Sequence, residues 1–423
     1  MSSIIDKFGR IVEGNIKKNP KRALFLLRAA YYASGLQSKY LPDRRLLPHQ
    51  RFAAVVNNKT IRTPLVSPRE SAVINMFLPC EMLHAMGVIP QFVEGFSCYL
   101  NGAACERMFI SYAENSGVPQ TYCSYHKILL GAALSGVLPK PRFIANTTLA
   151  CDANAGTFRT LANHWKIPRF TIDVPKTQTG ETITYVATQL RQMRSFIEDV
   201  MRRKLDEQKL KLVIRSENRS MCLYREYFKE LPKKYLPNDL SSEMLKIFLT
   251  HVLLGTDESE RYFELLLSDV RNAAKSKNEK RILWVHTIPY WQNSINQYFD
   301  FNPKYQLLCC DLNFDSIAEL DEDRPYESMA LKLLENTMCG TGKKRALKVL
   351  QTAQSLRAHG VIYFCHWGCK QTLGNAYLTK DMFEKSGMPL LVLDGDGCDR
   401  KNINDGQMET RLQAFLELLE TAI

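Results

Sequence analysis

Residues 361–397, VIYFCHWGCKQTLGNAYLTKDMFEKSGMPLLVLDGDG, contain the pattern that decides the fold. An apolar run of strand length is followed by a cysteine, a helical stretch, a turn at Gly387 and Pro389, and a second apolar run. This order is typical of a β-α-β unit, in which a helix joins two parallel strands. We therefore predict a parallel sheet in this part of the chain.

The same order of strand, cysteine, helix, proline and strand occurs at residues 143–175, FIANTTLACDANAGTFRTLANHWKIPRFTIDVP. Residues 80–95, CEMLHAMGVIPQFVEG, supply the second half of another such unit. Cys151 and Cys369 take equivalent places, just past the end of the first strand. Open α/β sheets bind ligands at that edge, and helix N-termini there favour negative groups. We therefore expect both thiols to face a crevice and to be biased toward the thiolate form.

The chain has 423 residues, which is long enough for two or three domains. We predict an α/β protein with two Rossmann- or flavodoxin-like parallel-sheet domains. The expected divisions are an N-terminal helical region at 1–65, a first α/β domain at 66–178, a helical segment at 179–278 and a second α/β domain at 279–423.

The formal net charge of +12 favours an anionic partner, such as a phosphate-bearing small molecule or an acidic protein. The basic residues are dispersed, and no zinc finger, basic zipper or aromatic RNA-binding strand occurs, so nucleic acid is not an expected partner. The apolar runs are too short for a membrane span, and the N-terminus lacks the features of a signal peptide. We expect a cytoplasmic protein that does not contact a membrane.

Twelve cysteines without an export signal argue against a disulfide framework, and most should be small buried hydrophobes. Cys123, Cys151, Cys365 and Cys369 are the candidates for a shared site if two domains face each other. Three thiolates on separate segments suit an iron–sulfur cluster with an open iron better than zinc, because structural zinc sites use closely spaced cysteine pairs. The spacing alone leaves open that these are unrelated core cysteines.

Three other motifs do not predict a site. Cys365 and His366 are sequence neighbours, which rarely have the geometry of a nucleophile and its base. DGDGCD at 394–399 lacks the remaining ligands of a calcium loop and is interpreted as a turn. CGTGKKR at 339–345 lacks the first glycine of a phosphate-binding loop and has Lys344 in place of Ser or Thr. No catalytic base is identified.

Residues 366–420, which begin HWGCKQTLGNAYLTK, resemble the C-terminal signature of the 2-hydroxyacyl-CoA dehydratase family, which includes the B and C subunits of benzoyl-CoA reductase. The resemblance extends in the same order to FLPCEMLHAMGVIP, CSYHK, CDANAGTF and DEDRPYESMALKLLEN. It covers about residues 70–423.

This resemblance implies a 4Fe-4S cluster bound through three cysteines, which match Cys123, Cys151 and Cys369 here. Cys80 and Cys365 fall next to motif positions. It also implies a carbon–oxygen lyase of anaerobic metabolism that eliminates water from a 2-hydroxyacyl-CoA by radical chemistry. The implied partners are a homologous second subunit (or a second copy of this chain), a separate ATP-dependent iron–sulfur activator that supplies one electron, and an acyl-CoA substrate.

Several alternatives stay open at this point. Relatives with a double-cubane cluster act as low-potential reductases and need additional cysteines, and Cys398 is one of the extra thiols. HWGCKQ and the single cysteine of CDANAGTF favour the simple cluster. The chain could also be a low-potential acyl-CoA reductase, an electron-relay subunit, a non-catalytic cluster-binding partner, or a cluster-free α/β binding protein.

Overall fold

The computed structural model describes residues 4–403 and 405–421. The strands are β1 (Ser71–Ile74), β2 (Ile89–Phe92), β3 (Phe143–Thr147), β4 (Arg169–Ile172), β5 (Lys234–Tyr235), β6 (Ala274–Lys275), β7 (Lys280–Val285), β8 (Tyr305–Cys310), β9 (Gly360–His366) and β10 (Leu390–Gly395). The helices are α1 (Ile4–Ile16), α2 (Pro20–Tyr40), α3 (Pro48–Val66), α4 (Glu81–Ala85), α5 (Val93–Gly102), α6 (Glu106–Asn115), α7 (Ser124–Leu134), α8 (Asp152–Trp165), α9 (Gly180–Met201), α10 (Glu207–Glu230), α11 (Leu240–Leu245), α12 (Asp257–Asn272), α13 (Asn293–Phe299), α14 (Pro325–Glu335), α15 (Gly342–Ser355), α16 (Lys370–Leu373), α17 (Ala376–Ser386) and α18 (Asp405–Thr421).

Two separate parallel sheets form the framework. The first has the strand order β2-β1-β3-β4 and the second has the order β8-β7-β9-β10. If the strands of each sheet are numbered along the chain, both have the order 2-1-3-4, which is flavodoxin-like. The predicted fold class is therefore confirmed. The short antiparallel pair of β5 and β6 was not predicted, because two-residue strands leave no periodic signal.

The central strands are buried along nearly their whole length because helices cover both faces of each sheet. Every residue of β1, β3 and β9 is buried. In β9, GVIYFCH, the polar side chain of His366 comes only at the carboxyl end, where the strand leaves the sheet. The continuous apolar runs that predicted the strands are thus a consequence of their central place.

In each sheet the first and third strands are neighbours. Ala72 of β1 pairs with Phe143 of β3, and Ile282 of β7 pairs with Gly360 of β9. The strand order reverses between these neighbours, and a crevice opens at their carboxyl ends. The segments that follow β1, β3, β7 and β9 therefore line the ligand edge of the two sheets.

The helical parts of the chain pack against one another. At the start of α3, the backbone N–H of His49 donates to Asp269 of α12, and its ring Nδ1 lies 2.8 Å from the same carboxylate. The predicted division of the chain after residues 65, 178 and 278 stays a prediction, which the separation of the two sheets supports. No helix in the described ranges is long and apolar enough to cross a bilayer.

Gly131 lies where α7 meets α6, and a larger residue at this position should destabilise the protein. A Cβ at this position would lie 1.8 Å from the carbonyl oxygen of Phe109, so Gly131→Ala must force the two helices apart. We expect a loss of unfolding free energy of at least about 1–3 kcal/mol, measured by urea denaturation. The control is Gly14→Ala in α1, where no atom lies within 4 Å of the new Cβ. It should be neutral or stabilising by about 0.5–1 kcal/mol; equal effects of the two substitutions would contradict the packing described.

Candidate functional site

Three cysteines stand directly before helices at the ligand edge. Cys123 precedes α7, Cys151 precedes α8 and Cys369 precedes α16, and none of the three side chains caps its own helix. These three are the partly exposed members of the twelve cysteines, since eight others are buried and Cys222 is fully exposed. Exposure therefore separates the three candidates from the core cysteines.

The loop that carries Cys369 touches both of the other loops. A Cβ on Gly368 would lie 2.7 Å from the backbone nitrogen of Cys123, so the two chains are in direct contact. The side-chain amide of Gln371 donates a hydrogen bond to the carbonyl of Ala150, the residue before Cys151. Segments from both sheets thus meet at this point.

The other two loops also contact each other. The hydroxyl of Tyr122, the residue before Cys123, donates to the carbonyl of Ala153 at 2.9 Å in the first turn of α8. A Cβ on Gly156 of the same helix would lie 2.9 Å from that hydroxyl oxygen. All three pairs of cysteine-bearing loops are therefore in contact.

The thiols are close enough to influence one another. Burial, followed by the neighbouring Cys369 and Cys151 thiols, raises the pKa of Cys123 well above its usual value. Burial, followed by Cys369, raises the pKa of Cys151 to about 12. The prediction that a helix N-terminus would favour the thiolate form is wrong for Cys151, because desolvation outweighs the helix dipole. Without a bound cation, both thiols keep their protons at neutral pH.

His366, at the end of β9, donates a hydrogen bond to Cys123. Its Nδ1 atom accepts from the backbone N–H of Gly397 at 3.0 Å, and its Nε2 atom lies 3.3 Å from the Cys123 sulfur. Because Nδ1 is an acceptor, the ring proton is on Nε2. Burial lowers the pKa of His366, so the ring stays neutral. The histidine therefore serves the distant Cys123 rather than its sequence neighbour Cys365.

The DGDGCD segment is a turn, as predicted, and it anchors the loop of Cys123. The Oδ1 atom of Asp396 accepts from the hydroxyl of Ser124 at 2.6 Å and from the backbone N–H groups of Cys398 and Asp399, each at 2.9 Å. This carboxylate ties the end of the second sheet to the residue after Cys123.

The weaker cysteine candidates point into the core. The Cys80 sulfur donates to the carbonyl of Leu78 at 3.3 Å, and the Cys398 sulfur donates to the carbonyl of Ser97 at 3.4 Å. Cys365 is buried within β9, and burial raises its pKa to about 12. These three thiols are accounted for by packing.

Lys344 of the rejected phosphate-loop motif also has a structural role. Its Nζ atom donates to the backbone carbonyls of Leu334 and Asn336, each at 3.0 Å, and to that of Cys339 at 3.2 Å. The ammonium group therefore satisfies carbonyls at the end of α14.

Glu94 was missed in the sequence analysis. It lies in the first turn of α5, directly after β2, at the same edge of the first sheet as Cys151. Burial raises its pKa to about 7, and its Oε2 atom is buried with no hydrogen-bond partner in the described part of the chain. Its charge in turn raises the pKa of Cys151, although burial and Cys369 contribute more. The signal that could have identified Glu94 is its position in FVEG, where a carboxyl side chain comes two residues after the end of β2 at Phe92.

A histidine–aspartate pair lies near Glu94. His251 sits on a π-helical turn, Phe248–Val252, a distortion that is frequent at functional sites. Its Nε2 atom is 3.1 Å from the carboxylate of Asp315, and its Nδ1 atom is 3.0 Å from the hydroxyl of Thr250. The His251 charge lowers the pKa of Glu94, while burial, the larger effect, raises it. The edge thus carries a buried carboxyl group and a histidine–aspartate pair as well as thiols.

Among the described residues, no group of three or more His, Cys, Asp or Glu side chains is arranged to hold a metal ion. Metal ligation by Cys123, Cys151 and Cys369 therefore stays a prediction. The donor chemistry fits an iron–sulfur cluster, since three thiols come from three touching loops and the other nearby cysteines are turned into the core.

The protein has two flavodoxin-like sheets, and their ligand edges meet where the three partly exposed cysteines lie. This arrangement defines a class of two-sheet α/β proteins with a cysteine-lined crevice. Within this class, residues 75–419 match the model of the family described as 2-hydroxyglutaryl-CoA dehydratase, D-component. The chain belongs to this family, whose members are dehydratases and therefore carbon–oxygen lyases. The predicted family is confirmed.

Three similar proteins agree with this membership. The (R)-phenyllactyl-CoA dehydratase alpha subunit of Clostridium sporogenes is 21% identical over 364 residues, covering 81% of this chain and 87% of the relative. The lactoyl-CoA dehydratase subunit alpha of Anaerotignum propionicum is 23% identical over 381 residues, covering 81% and 89%. The (R)-2-hydroxyglutaryl-CoA dehydratase subunit alpha of Acidaminococcus fermentans is 23% identical over 312 residues, covering 67% and 61%.

The environment of Glu94 predicts a pH-dependent stability. The folded state holds the Glu94 proton more tightly than the unfolded chain does, so the free energy of unfolding should fall as the pH rises from about 5 to about 8. Glu94→Gln removes this loss and should be more stable than the parent by about 1–3 kcal/mol at pH 8, but not at pH 5. Urea denaturation at both pH values measures the difference. The exposed Glu181→Gln is the control, and a Glu94→Gln effect that does not vary with pH would show that this carboxyl is not protonated in the folded protein.

Proposed function

We propose that this chain is the iron–sulfur subunit of a 2-hydroxyacyl-CoA dehydratase and that Cys123, Cys151 and Cys369 hold a 4Fe-4S cluster. The observation that carries the proposal is the meeting of three partly exposed thiols, on three touching loops, at the ligand edge of both sheets. Membership of the dehydratase family supports the reaction class. The burial of Cys80, Cys365 and Cys398 argues against a double-cubane cluster, which needs further thiolates.

Cys123, Cys151 and Cys369 would hold the cluster as thiolates, and the cluster would supply Lewis-acid chemistry toward an acyl-CoA and a place for one electron. The protein's own contribution begins at the ligands. His366 donates its Nε2–H to the Cys123 sulfur, a bond that favours the thiolate once the proton of Cys123 has left. The backbone N–H of Gly397 keeps the histidine in the tautomer that makes this bond.

Elimination of water also requires that a proton leave carbon and that the departing hydroxyl gain a proton. Glu94 suits this exchange because its pKa of about 7 allows both protonation states at neutral pH. Its buried Oε2 atom has no partner within the described ranges and is free to hold a proton. The pair of His251 and Asp315 provides a second proton-exchanging group nearby.

The expected partners follow from the same residues. Three of the similar proteins are named alpha subunits, which supports a homologous second subunit. An exposed apolar rim stands beside Cys369 and supports protein docking at the crevice, with Trp367, Leu373 and Tyr377 as its members. Because Lys344 is engaged with backbone carbonyls, ATP hydrolysis is assigned to a separate activator protein. We assign the enzyme to the cytoplasm of an anaerobic cell.

The ligand assignment predicts different roles for two cysteines of the C-terminal motif. Cys369→Ala removes a thiolate from the proposed set, so protein purified without oxygen should lose most of its iron, its electron paramagnetic resonance signal after reduction, and its dehydratase activity. Cys398→Ala is the matched control. Cys398 is buried against Ser97, so this change should cost some stability and leave the iron content near that of the parent.

Two outcomes would contradict the assignment. Equal iron content in the Cys369 variant and the parent would exclude Cys369 as a ligand. Loss of iron in the Cys398 variant alone, with the fold intact by circular dichroism, would mean that the ligand is the other cysteine of the motif.

The hydrogen bond from His366 to Cys123 predicts that replacing this histidine changes the redox potential of the proposed cluster. In His366→Asn, the side-chain oxygen can still accept from Gly397, but the side chain is too short to reach the Cys123 sulfur. Loss of a hydrogen bond to a ligand sulfur disfavours the reduced, more negative cluster. We expect retained iron and a more negative midpoint potential in a dye-equilibrated titration. An unchanged potential would show that this hydrogen bond is absent from the cluster-bound protein.

A further inference from the structure

The N-terminal helical region carries most of the net positive charge of the chain. Residues 1–65 contain thirteen Lys and Arg against three Asp and Glu, which accounts for ten of the twelve net charges. No acidic residue occurs from Gly14 to Pro42. The family match begins at residue 75, so this basic region lies outside the matched part of the chain.

Helix α2 has two apolar stripes on opposite sides. One stripe is buried against the rest of the protein and consists of Ala23, Leu27 and Tyr31. The second stripe, called here the outer stripe, is exposed and consists of Phe25, Ala29, Tyr32, Leu36 and Tyr40. At about 100° per residue, the outer stripe is centred about 180° from the buried one.

The aromatic side chains of the outer stripe are exposed to solvent over more than half of their surface. Phe25, Tyr32 and Tyr40 have 67%, 53% and 66% of their surface accessible. A contiguous row of large apolar side chains at the surface marks an interaction site more often than chance exposure. Within the described chain, the contacts printed for its aromatic rings are with cations: the Arg62 guanidinium of α3 lies over the Tyr32 ring at 5.0 Å, and the Lys39 ammonium lies over the Tyr40 ring at 5.1 Å. The buried stripe supplies the packing of α2, and most of the outer stripe faces solvent.

The shape of the outer stripe favours a helix as its partner. Its first three spacings, of four, three and four residues, follow the seam of a coiled coil, and the last, from Leu36 to Tyr40, is one residue longer than the heptad pattern gives. The stripe covers an arc of only about 80°, which is narrower than the face of a helix that lies in a bilayer surface or a globular core. A single apolar seam of another helix fits this width.

The flanks of the outer stripe define the charge of that partner. Lys21 and Lys39 lie along one side and Arg22 along the other. In the described part of the chain, none of these three cations has a carboxylate within ion-pair distance. Charges beside a helical seam select partners of opposite sign. A second copy of this chain would bring cations against cations.

We propose that the outer stripe of α2 docks a helix of another protein, one whose apolar seam is flanked by Asp and Glu. The proposal does not rest on the iron–sulfur site, because the basic region lies outside the family match. It assigns the basic N-terminal region a role in assembly.

The test uses the full-length protein and two synthetic helical peptides as probes. Both have Leu at the seam positions; one has Glu at the flanking positions and the other has Lys. Fluorescence anisotropy of the labelled peptides should show binding of the Glu peptide only, weakening as salt is raised. Absence of binding by the Glu peptide would overturn the proposal.

A triple variant separates docking from general attraction to a basic protein. Phe25→Ala with Tyr32→Ala and Leu36→Ala keeps every charge, and these side chains are exposed, so the fold should be retained. The dissociation constant for the Glu peptide should rise by about tenfold or more. Leu212→Ala, which changes an exposed leucine of α10, is the matched control and should leave binding unchanged. Equal binding by the triple variant would overturn the proposal.

Two further measurements test whether the outer stripe binds a lipid surface or a second copy of this chain instead of an acidic helix. Sedimentation with vesicles containing phosphatidylserine tests a lipid surface, and analytical ultracentrifugation tests a second copy. If the triple variant abolished vesicle binding or self-association of the parent, that occupant would replace the acidic helix and the proposal would be wrong. Parent protein that neither sediments with vesicles nor self-associates through α2 supports it.

Discussion

The carboxylate of Asp396 connects the two halves of the candidate site. It accepts hydrogen bonds from its own turn and from Ser124, so the end of the second sheet and the start of α7 cannot move independently. The next residue, Gly397, holds His366, which donates to Cys123. Loss of Asp396 would leave buried donors unpaired, at a cost of about 1–3 kcal/mol each. The position of Cys123 depends on this one turn.

Two of the three candidate cysteines occupy equivalent positions in the two sheets, and the third does not. Cys151 follows the third strand of the first sheet and Cys369 follows the third strand of the second, so two thiols come from equivalent places in one strand order. Cys123 has no such counterpart, because it lies in the connection between α6 and α7. Glu94 follows β2 of the first sheet, whereas His251 bonds to Asp315, which follows β8 of the second. Both sheets thus contribute ionisable groups as well as thiols.

The sequence predicted those features that depend on local pattern. Apolar runs revealed the central strands because helices bury both faces, and the repeated order of strand, cysteine and helix placed Cys151 and Cys369 at the ligand edge. Features set by distant contacts could not be predicted. The bond between Cys123 and His366 joins residues 243 positions apart, and the raised pKa of Glu94 comes from burial by other elements. The thiolate bias expected for Cys151 was wrong for the same reason, because burial by distant segments outweighs a local dipole.

The most direct test of the account is a crystal structure of protein purified without oxygen, with anomalous diffraction collected on both sides of the iron absorption edge. We predict one iron-specific peak at the meeting point of the three loops, in contact with the sulfurs of Cys123, Cys151 and Cys369 and with no fourth protein sulfur. An iron-specific peak bound by other residues, or iron-loaded protein with no peak between these three thiols, would contradict the account.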